Sequence, residues 1–143
     1  MLGGVRIPAE RGLAGHSDGD AICHAVTDAI LGAAGLGDIG TLFPDTDPAW
    51  KDADSLELLR RAAAQVSAAG YRVASLDIVA IAETPRLAPW REAMRDNLAS
   101  ALGVDRAVVG LKGKTNEKLG AIGRAEGLAV HAVALLVAAR AAS

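Results

Sequence analysis

Aromatic side chains are nearly absent from this chain. Two tryptophans, one tyrosine and one phenylalanine make up 3% of its 143 residues, although hydrophobic residues account for 51%. A core must therefore be filled by Ala, Val, Leu and Ile, and small side chains suit close packing of elements, including packing between subunits. The single cysteine, Cys23, excludes an internal disulfide, fits a reducing compartment and reads as a buried small hydrophobe. Charge of neither sign dominates: 15 Lys and Arg face 17 Asp and Glu, with no basic stripe, so nucleic acid is not an expected partner. The longest apolar stretch, "LAVHAVALLVAA", contains a histidine and falls short of the ~20 residues a membrane helix needs. The opening "MLGGVRIPAERG" lacks the apolar core of a secretory signal. A soluble, cytoplasmic protein of one domain, with no membrane partner, is the expectation.

What is present alternates between helix and strand. Residues 3–7 form a short strand candidate closed by Pro8. Ser17 or Asp18 can cap a helix reaching about Leu36, since Ile22, Val26, Ala29, Ile30 and Ala33 recur at helical spacing. "GDIGTLFPDTDPAWKD" reads as a loop. Asp54, with Glu57 three residues on, predicts a capping box for a helix to Ala69, stopped by Gly70. In "YRVASLDIVAIAE", Leu76, Ile78 and Ala80 alternate against Ser75, Asp77 and Val79, which is strand patterning. Pro89 opens a helix carrying Trp90, Met94, Leu98 and Leu102 and ending at Gly103. "AVVGLK" is a further strand. The last segment supports both readings: its alanines favour helix, and the alternation of Leu128, Val130 and Ala132 favours a strand. Such an order gives an α/β or α+β sandwich.

Four stretches carry residues suited to chemistry. In "HSDGDAICH", His24 lies four residues from both Asp20 and Asp28, so the three share a helix face. A neutral imidazole there can ligate a divalent metal, with Asp20 or Asp28 orienting its second nitrogen; a packed histidine beside capping aspartates has the same spacing. "LGDIGTLFPDTD" places Asp38, Asp45 and Asp47 where they can hold sugar hydroxyls or a hydrated cation, or can simply cap turns. "KGKTNEK" combines Lys112, Lys114 and Lys118 with Thr115 and nearby backbone N–H groups, a set that can hold phosphate oxygens. Glu117 could ligate a magnesium bridging two phosphates, and the glycine spacing is not that of a Walker A loop. "AETPRLAPW" leaves a strand for a proline-ordered loop whose backbone could read a planar base, with Arg86 within reach of a phosphate.

In this order, "GLAGHSDGDAICHAVTDAILGAAGLGDIGTLFPDTDP", "ADSLELL", "IAETPRLAP" and "KGKTNEKLGAIGRAEG" closely resemble the 2-C-methyl-D-erythritol 2,4-cyclodiphosphate synthase family of the non-mevalonate isoprenoid pathway. The resemblance runs over nearly the whole chain. It implies an α+β fold of ferredoxin-like or chorismate mutase-like topology, a mixed sheet packed against helices on one face. The sheets would face the central axis of a homotrimer whose active sites lie between adjacent subunits. The implied enzyme is a phosphorus–oxygen lyase. It converts 4-diphosphocytidyl-2-C-methyl-D-erythritol 2-phosphate to the 2,4-cyclodiphosphate, releasing CMP, with zinc and a second divalent cation, magnesium or manganese.

The same resemblance assigns roles. His24 becomes a zinc ligand and Glu117 the ligand of the second cation. His16 and Ser17 lie beside the diphosphate, with His16 and Thr115 acting on the transition state. Asp38, Ile39, Gly40, Phe43, Pro44, Asp45, Thr46 and Asp47 correspond to methylerythritol contacts. Ala82, Glu83, Thr84, Pro85, Arg86, Leu87 and Ala88 resemble the cytidine pocket, read through main-chain groups. Lys114, Thr115, Asn116 and Glu117 resemble the phosphate loop, and Ala121 and Arg124 follow in substrate-contact positions, Ala121 being smaller than the aromatic residue of some relatives.

One family feature is missing. Members begin with a strand bearing an Asp-x-His motif that supplies two further zinc ligands, whereas the other histidines here are His16 and His131. The zinc site is therefore expected to be incomplete, and the domain, residues 1–143, to be truncated at its N-terminus. The alternative function is a catalytically impaired trimeric module that binds a cytidine nucleotide or an isoprenoid diphosphate without cyclising it.

Overall fold

The computed structural model describes residues 1–8, 19–50, 53–84 and 86–139. Among these residues, five α-helices and three strands follow one another: α1 (Ala21–Ala33), α2 (Ile39–Leu42), α3 (Ser55–Ala68), β1 (Tyr71–Ile81), α4 (Arg91–Leu102), β2 (Val109–Lys114), α5 (Gly120–Gly123) and β3 (Ala129–Ala138). Central β1 pairs in parallel with β2 and antiparallel with β3, giving the sheet order β2-β1-β3. A parallel pair needs a long crossover, and α4 supplies it. The fold is α+β, a mixed sheet with its core on one face.

That face is set by strand alternation. Leu76, Ile78 and Ala80 are buried, as their spacing predicts, against Ile22, Val26, Ile30 and Leu31 of α1, Leu58, Leu59 and Ala62 of α3, and Met94 and Leu98 of α4. Each such Ile or Leu contributes about 1.5–3 kcal/mol by leaving water. Val73 is also buried although it is out of phase with Leu76. The register against β3 shifts between Val73 and Ser75, so a bulge at Ala74 resets the alternation.

Caps account for the helix ends. Asp20, not Ser17 or Asp18, caps α1 by accepting from Cys23 N at 3.0 Å; Ser17 and Asp18 lie outside the described residues. The helix closes at Ala33, earlier than expected, because Gly35 takes φ 71° and Leu36 N bonds back to Leu31 O. Asp54 caps α3 as predicted. The reciprocal half of the box is replaced, since Glu57 pairs with Arg60 and Arg61. Gly103 ends α4 in the left-handed conformation.

Two further expectations change, and an open one is decided. Residues 3–7 form no extended strand: Leu2 and Val5 exchange both backbone hydrogen bonds at 2.9 Å around Gly3 and Gly4, whose φ values of 54° and 73° make a tight turn. The acidic loop contains α2, because Asp38 caps it, and a 3-10 turn at Pro48–Trp50. The ambiguous last segment is the strand β3, whose Ala132, Ala134 and Leu136 lean on the core while Val133 and Leu135 remain 71% and 60% exposed. Among the described residues, no helix is long and apolar enough to cross a membrane.

Candidate active site

Parallel pairing puts the C-terminal ends of β1 and β2 on one edge of the sheet, with Ile81 opposite Lys114 and Ala82 N donating to Lys114 O at 2.9 Å. Loops leaving two parallel strands on the same side form a crevice, the usual place for a ligand in such sheets. Here the crevice is a pocket of about 360 Å³ lined by Ala80, Ala82, Glu83, Arg86, Leu87, Ala88, Arg91, Leu111, Gly113, Lys114 and Thr115. The structure thus joins two stretches that were separate in sequence, the proline-ordered loop and the lysine loop. Three cationic side chains against one carboxylate make its lining electropositive. Lys112 is not part of it, being tied to Asp77 at 3.0 Å on the other face.

The loop after β2 is folded tightly. Oε1 of Glu83 accepts from Asn116 N and from Lys118 N, both at 2.9 Å. Thr115 Oγ1 accepts from Glu117 N at 3.3 Å, and Asn116 Nδ2 donates to Leu119 O at 2.8 Å. Glu117 and Lys118 both adopt positive φ, 52° and 63°. A Cβ added to Gly123 would overlap the backbone of Lys118, so α5 packs directly on this loop. Of the amides expected to face phosphate oxygens, those of Asn116 and Lys118 are therefore engaged by Glu83 and that of Glu117 by Thr115. What remains toward the pocket is the Lys114 ammonium and the Thr115 hydroxyl proton. The Glu117 carboxylate is exposed on the loop beside it. Ala121 is exposed on α5, and the Arg124 guanidinium forks onto Glu126 at 3.0 and 3.3 Å.

A second group of predicted residues sits around the ends of α1. His24 is half-buried, and its Nε2 hydrogen-bonds with Ser55 Oγ at 3.1 Å. Neither aspartate orients it in the expected way. The Asp20 carboxylate turns back to accept from Gly3 N, Gly4 N and Cys23 N, and Asp28 Oδ1 accepts from Ile39 N at 2.8 Å. Asp28 thereby ties α2 to α1. Oδ1 of Asp38 accepts from the Thr41 hydroxyl at 2.7 Å and from Thr41 N at 2.8 Å, bonds that hold its carboxyl below the usual carboxylate range. Asp47 accepts from Ala49 N, and Asp45 and Thr46 are exposed. Phe43 is buried with its ring edge-on to Trp50 at 4.9 Å, and Trp50 in turn carries the Arg61 guanidinium at 5.0 Å. Phe43 thus anchors the loop to the core.

His16, Ser17 and Pro85 lie outside the described residues. The sequence reading missed Ser55 as a partner of His24, and it missed Arg91 in the pocket. Spacing offered no signal for Ser55. Arg91 was legible in principle, two residues after the proline that turns the loop back over the strand ends.

Helices on one face of a mixed sheet, with an electropositive crevice at its parallel strand ends, define the class: an α+β domain whose pocket is made by two strand-end loops. Residues 1–137 match the model of the YgbB family, and the chain belongs to that family. It is 60% identical over 137 residues to the 2-C-methyl-D-erythritol 2,4-cyclodiphosphate synthase of Gemmatimonas aurantiaca, covering 96% of this chain and 82% of that one. A solved structure of 2C-methyl-D-erythritol-2,4-cyclodiphosphate synthase in its CDP-bound form superposes with a TM-score of 0.85 at 42% identity, over 96% of this chain and 89% of the other. The bifunctional IspDF of Campylobacter jejuni gives 0.89 at 48% identity over 95% of this chain, which spans only 37% of that longer protein.

Proposed function

We propose that this chain cyclises 4-diphosphocytidyl-2-C-methyl-D-erythritol 2-phosphate. An oxygen of the 2-phosphate bonds to the β-phosphorus; the bond from that phosphorus to the oxygen bridging the α-phosphate breaks, and CMP leaves with the oxygen and its electron pair. The observation that carries the reading is the pocket itself, in which the cytidine-type loop and the phosphate-type loop meet at the ends of β1 and β2. The CDP-bound relative supports the choice of nucleotide.

Little covalent work falls to the protein. Two repelling phosphates must be brought into line and their charge offset, and positioning of this kind supplies most of the acceleration in phosphoryl transfer. Lys114 and Arg86, with Arg91, provide positive charge, and the Thr115 hydroxyl donates toward the transferring group. Main-chain groups of residues 82–88 read the base. Asp38, kept ionised by Thr41, accepts from the methylerythritol hydroxyls. By the family resemblance His16 and Ser17 flank the diphosphate.

The metals divide into two cases. Magnesium and manganese are held by one or two carboxylates together with substrate phosphates, and Glu117 on the exposed loop fits that donor set. Such an ion would offset charge shared by the two phosphates. For zinc, His24 is the proposed ligand, oriented by Ser55. Among the described residues no three His, Cys, Asp or Glu side chains gather to complete a site, so the residues in place do not fit a full zinc shell and no step is assigned to it.

The assembly we propose is a homotrimer. Its support is the open face of the sheet, where Val133 and Leu135 are exposed, and the division of the site residues into two groups on different elements, which adjacent subunits can bring together. A cytoplasmic location accords with this chemistry. The test is CMP release by the purified chain supplied with substrate, zinc and magnesium, alongside its mass in solution. A folded trimer that releases no CMP above background refutes the activity.

A further inference from the structure

Glu83 stands two residues beyond the end of β1, on the wall of the pocket. In the family resemblance its segment reads the base through main-chain groups, which leaves the side chain without a task. The structure supplies one. One carboxylate oxygen accepts from two backbone N–H groups, those of Asn116 and Lys118, 33 and 35 residues away in the chain. These amides flank Glu117. Both Glu117 and Lys118 hold φ near 50–60°, a left-handed backbone that residues other than glycine seldom adopt without support. The Asn116 side chain and Leu119 close the turn locally, but those bonds lie within the loop and do not fix it against the sheet.

We infer that Glu83 is a positioning residue: from the end of β1 its carboxylate holds the loop of residues 115–118 in its left-handed turn, so that Thr115 and Glu117 face the diphosphate. This rests on the proposed activity, and it adds a link from the base-reading wall to the phosphate-reading one. Two properties follow from the geometry. The interaction needs an acceptor oxygen at the reach of a glutamyl side chain, which a glutamine amide oxygen also provides, having two lone pairs. It does not need the charge. Aspartate, one methylene shorter, keeps the charge and loses the reach.

The experiment compares Glu83→Gln, Glu83→Ala and Glu83→Asp with the wild type, each first confirmed as folded by its thermal melt. Amide hydrogen exchange on the metal-free protein reads the loop without any turnover. Protection of the Asn116 and Lys118 amides is expected in the wild type and in Glu83→Gln, and its loss in Glu83→Ala and Glu83→Asp. Mn²⁺ affinity of the CDP-bound protein, read by electron paramagnetic resonance, should fall roughly 10- to 100-fold in the alanine and aspartate variants, as for other residues that orient a metal ligand. Glutamine should recover most of that loss. Unchanged exchange in Glu83→Ala, or an aspartate that works where glutamine fails, overturns the inference. Absence of CMP release from the wild type is a separate result: it fails the proposed activity and leaves the exchange comparison to decide the role of Glu83.

Discussion

The acidic segment after α1 and the loop after β2 are both short polar connections full of family motifs, yet the first is shaped mainly by its own caps, with one tie to α1 through Asp28, and the second by a distant carboxylate. Asp38 caps the helix that begins at the next residue, and Asp47 accepts from Ala49 two positions on. The loop after β2 takes its key bonds from Glu83, more than thirty residues away. The turn of Gly3 and Gly4 is held similarly, by the carboxylate of Asp20. Local caps let a loop keep its shape wherever the rest of the chain goes. Remote carboxylates make a loop's shape depend on the sheet or helix that bears them.

Breaking a remote tie should therefore cost most. Asp20 is buried and accepts from three backbone donors, so Asp20→Ala leaves those donors unsatisfied and should lower stability by about 4 kcal/mol, read by urea unfolding. Next comes the loop seen from its other side. Gly123→Ala places a methyl group inside the Lys118 backbone, and the displaced loop should cost on the order of 100-fold in kcat for CMP release. The smallest effect belongs to the local cap. Hydrogen bonds from Thr41 lower the Asp38 pKa, so their stabilisation is present above the ordinary carboxylate pKa and is lost as pH falls through the lowered folded value. Exchange of the Thr41 amide should accelerate over that acid range in the wild type, and Asp38→Asn should abolish the titration. If Asp38 behaved like Asp20, with unfolding of the whole chain, the contrast between the two kinds of restraint would fail.

The same contrast explains what could be read in advance. Helical spacing located α1 and α4, a capping signal located α3, and period-two alternation located the buried face of β1, because each depends on neighbours in the chain. Asp54 was legible as a cap for the same reason. The bulge at Ala74 was not, since it exists only against β3. β3 itself was ambiguous because Val133 and Leu135 are apolar on the exposed face, which blurs the alternation a strand with one wet face normally shows. Motif order predicted a site role for Glu117 and Thr115. It could not reveal that the amides beside them were already engaged by Glu83, or that Ser55 would meet His24, because those pairings are made by the fold.

The pocket has one more property that its construction imposes. Its two walls rise from neighbouring strands of a single parallel pair, so the spacing at their base is set by the strand separation, about 4.8 Å, and not by a hinge. The floor is a fixed gauge. Selectivity for a larger or smaller ligand has to be adjusted in the rim, residues 86–91, while the strand ends keep their spacing. Variation among chains that share this fold should then collect on the rim, and the ladder beneath it should tolerate almost none.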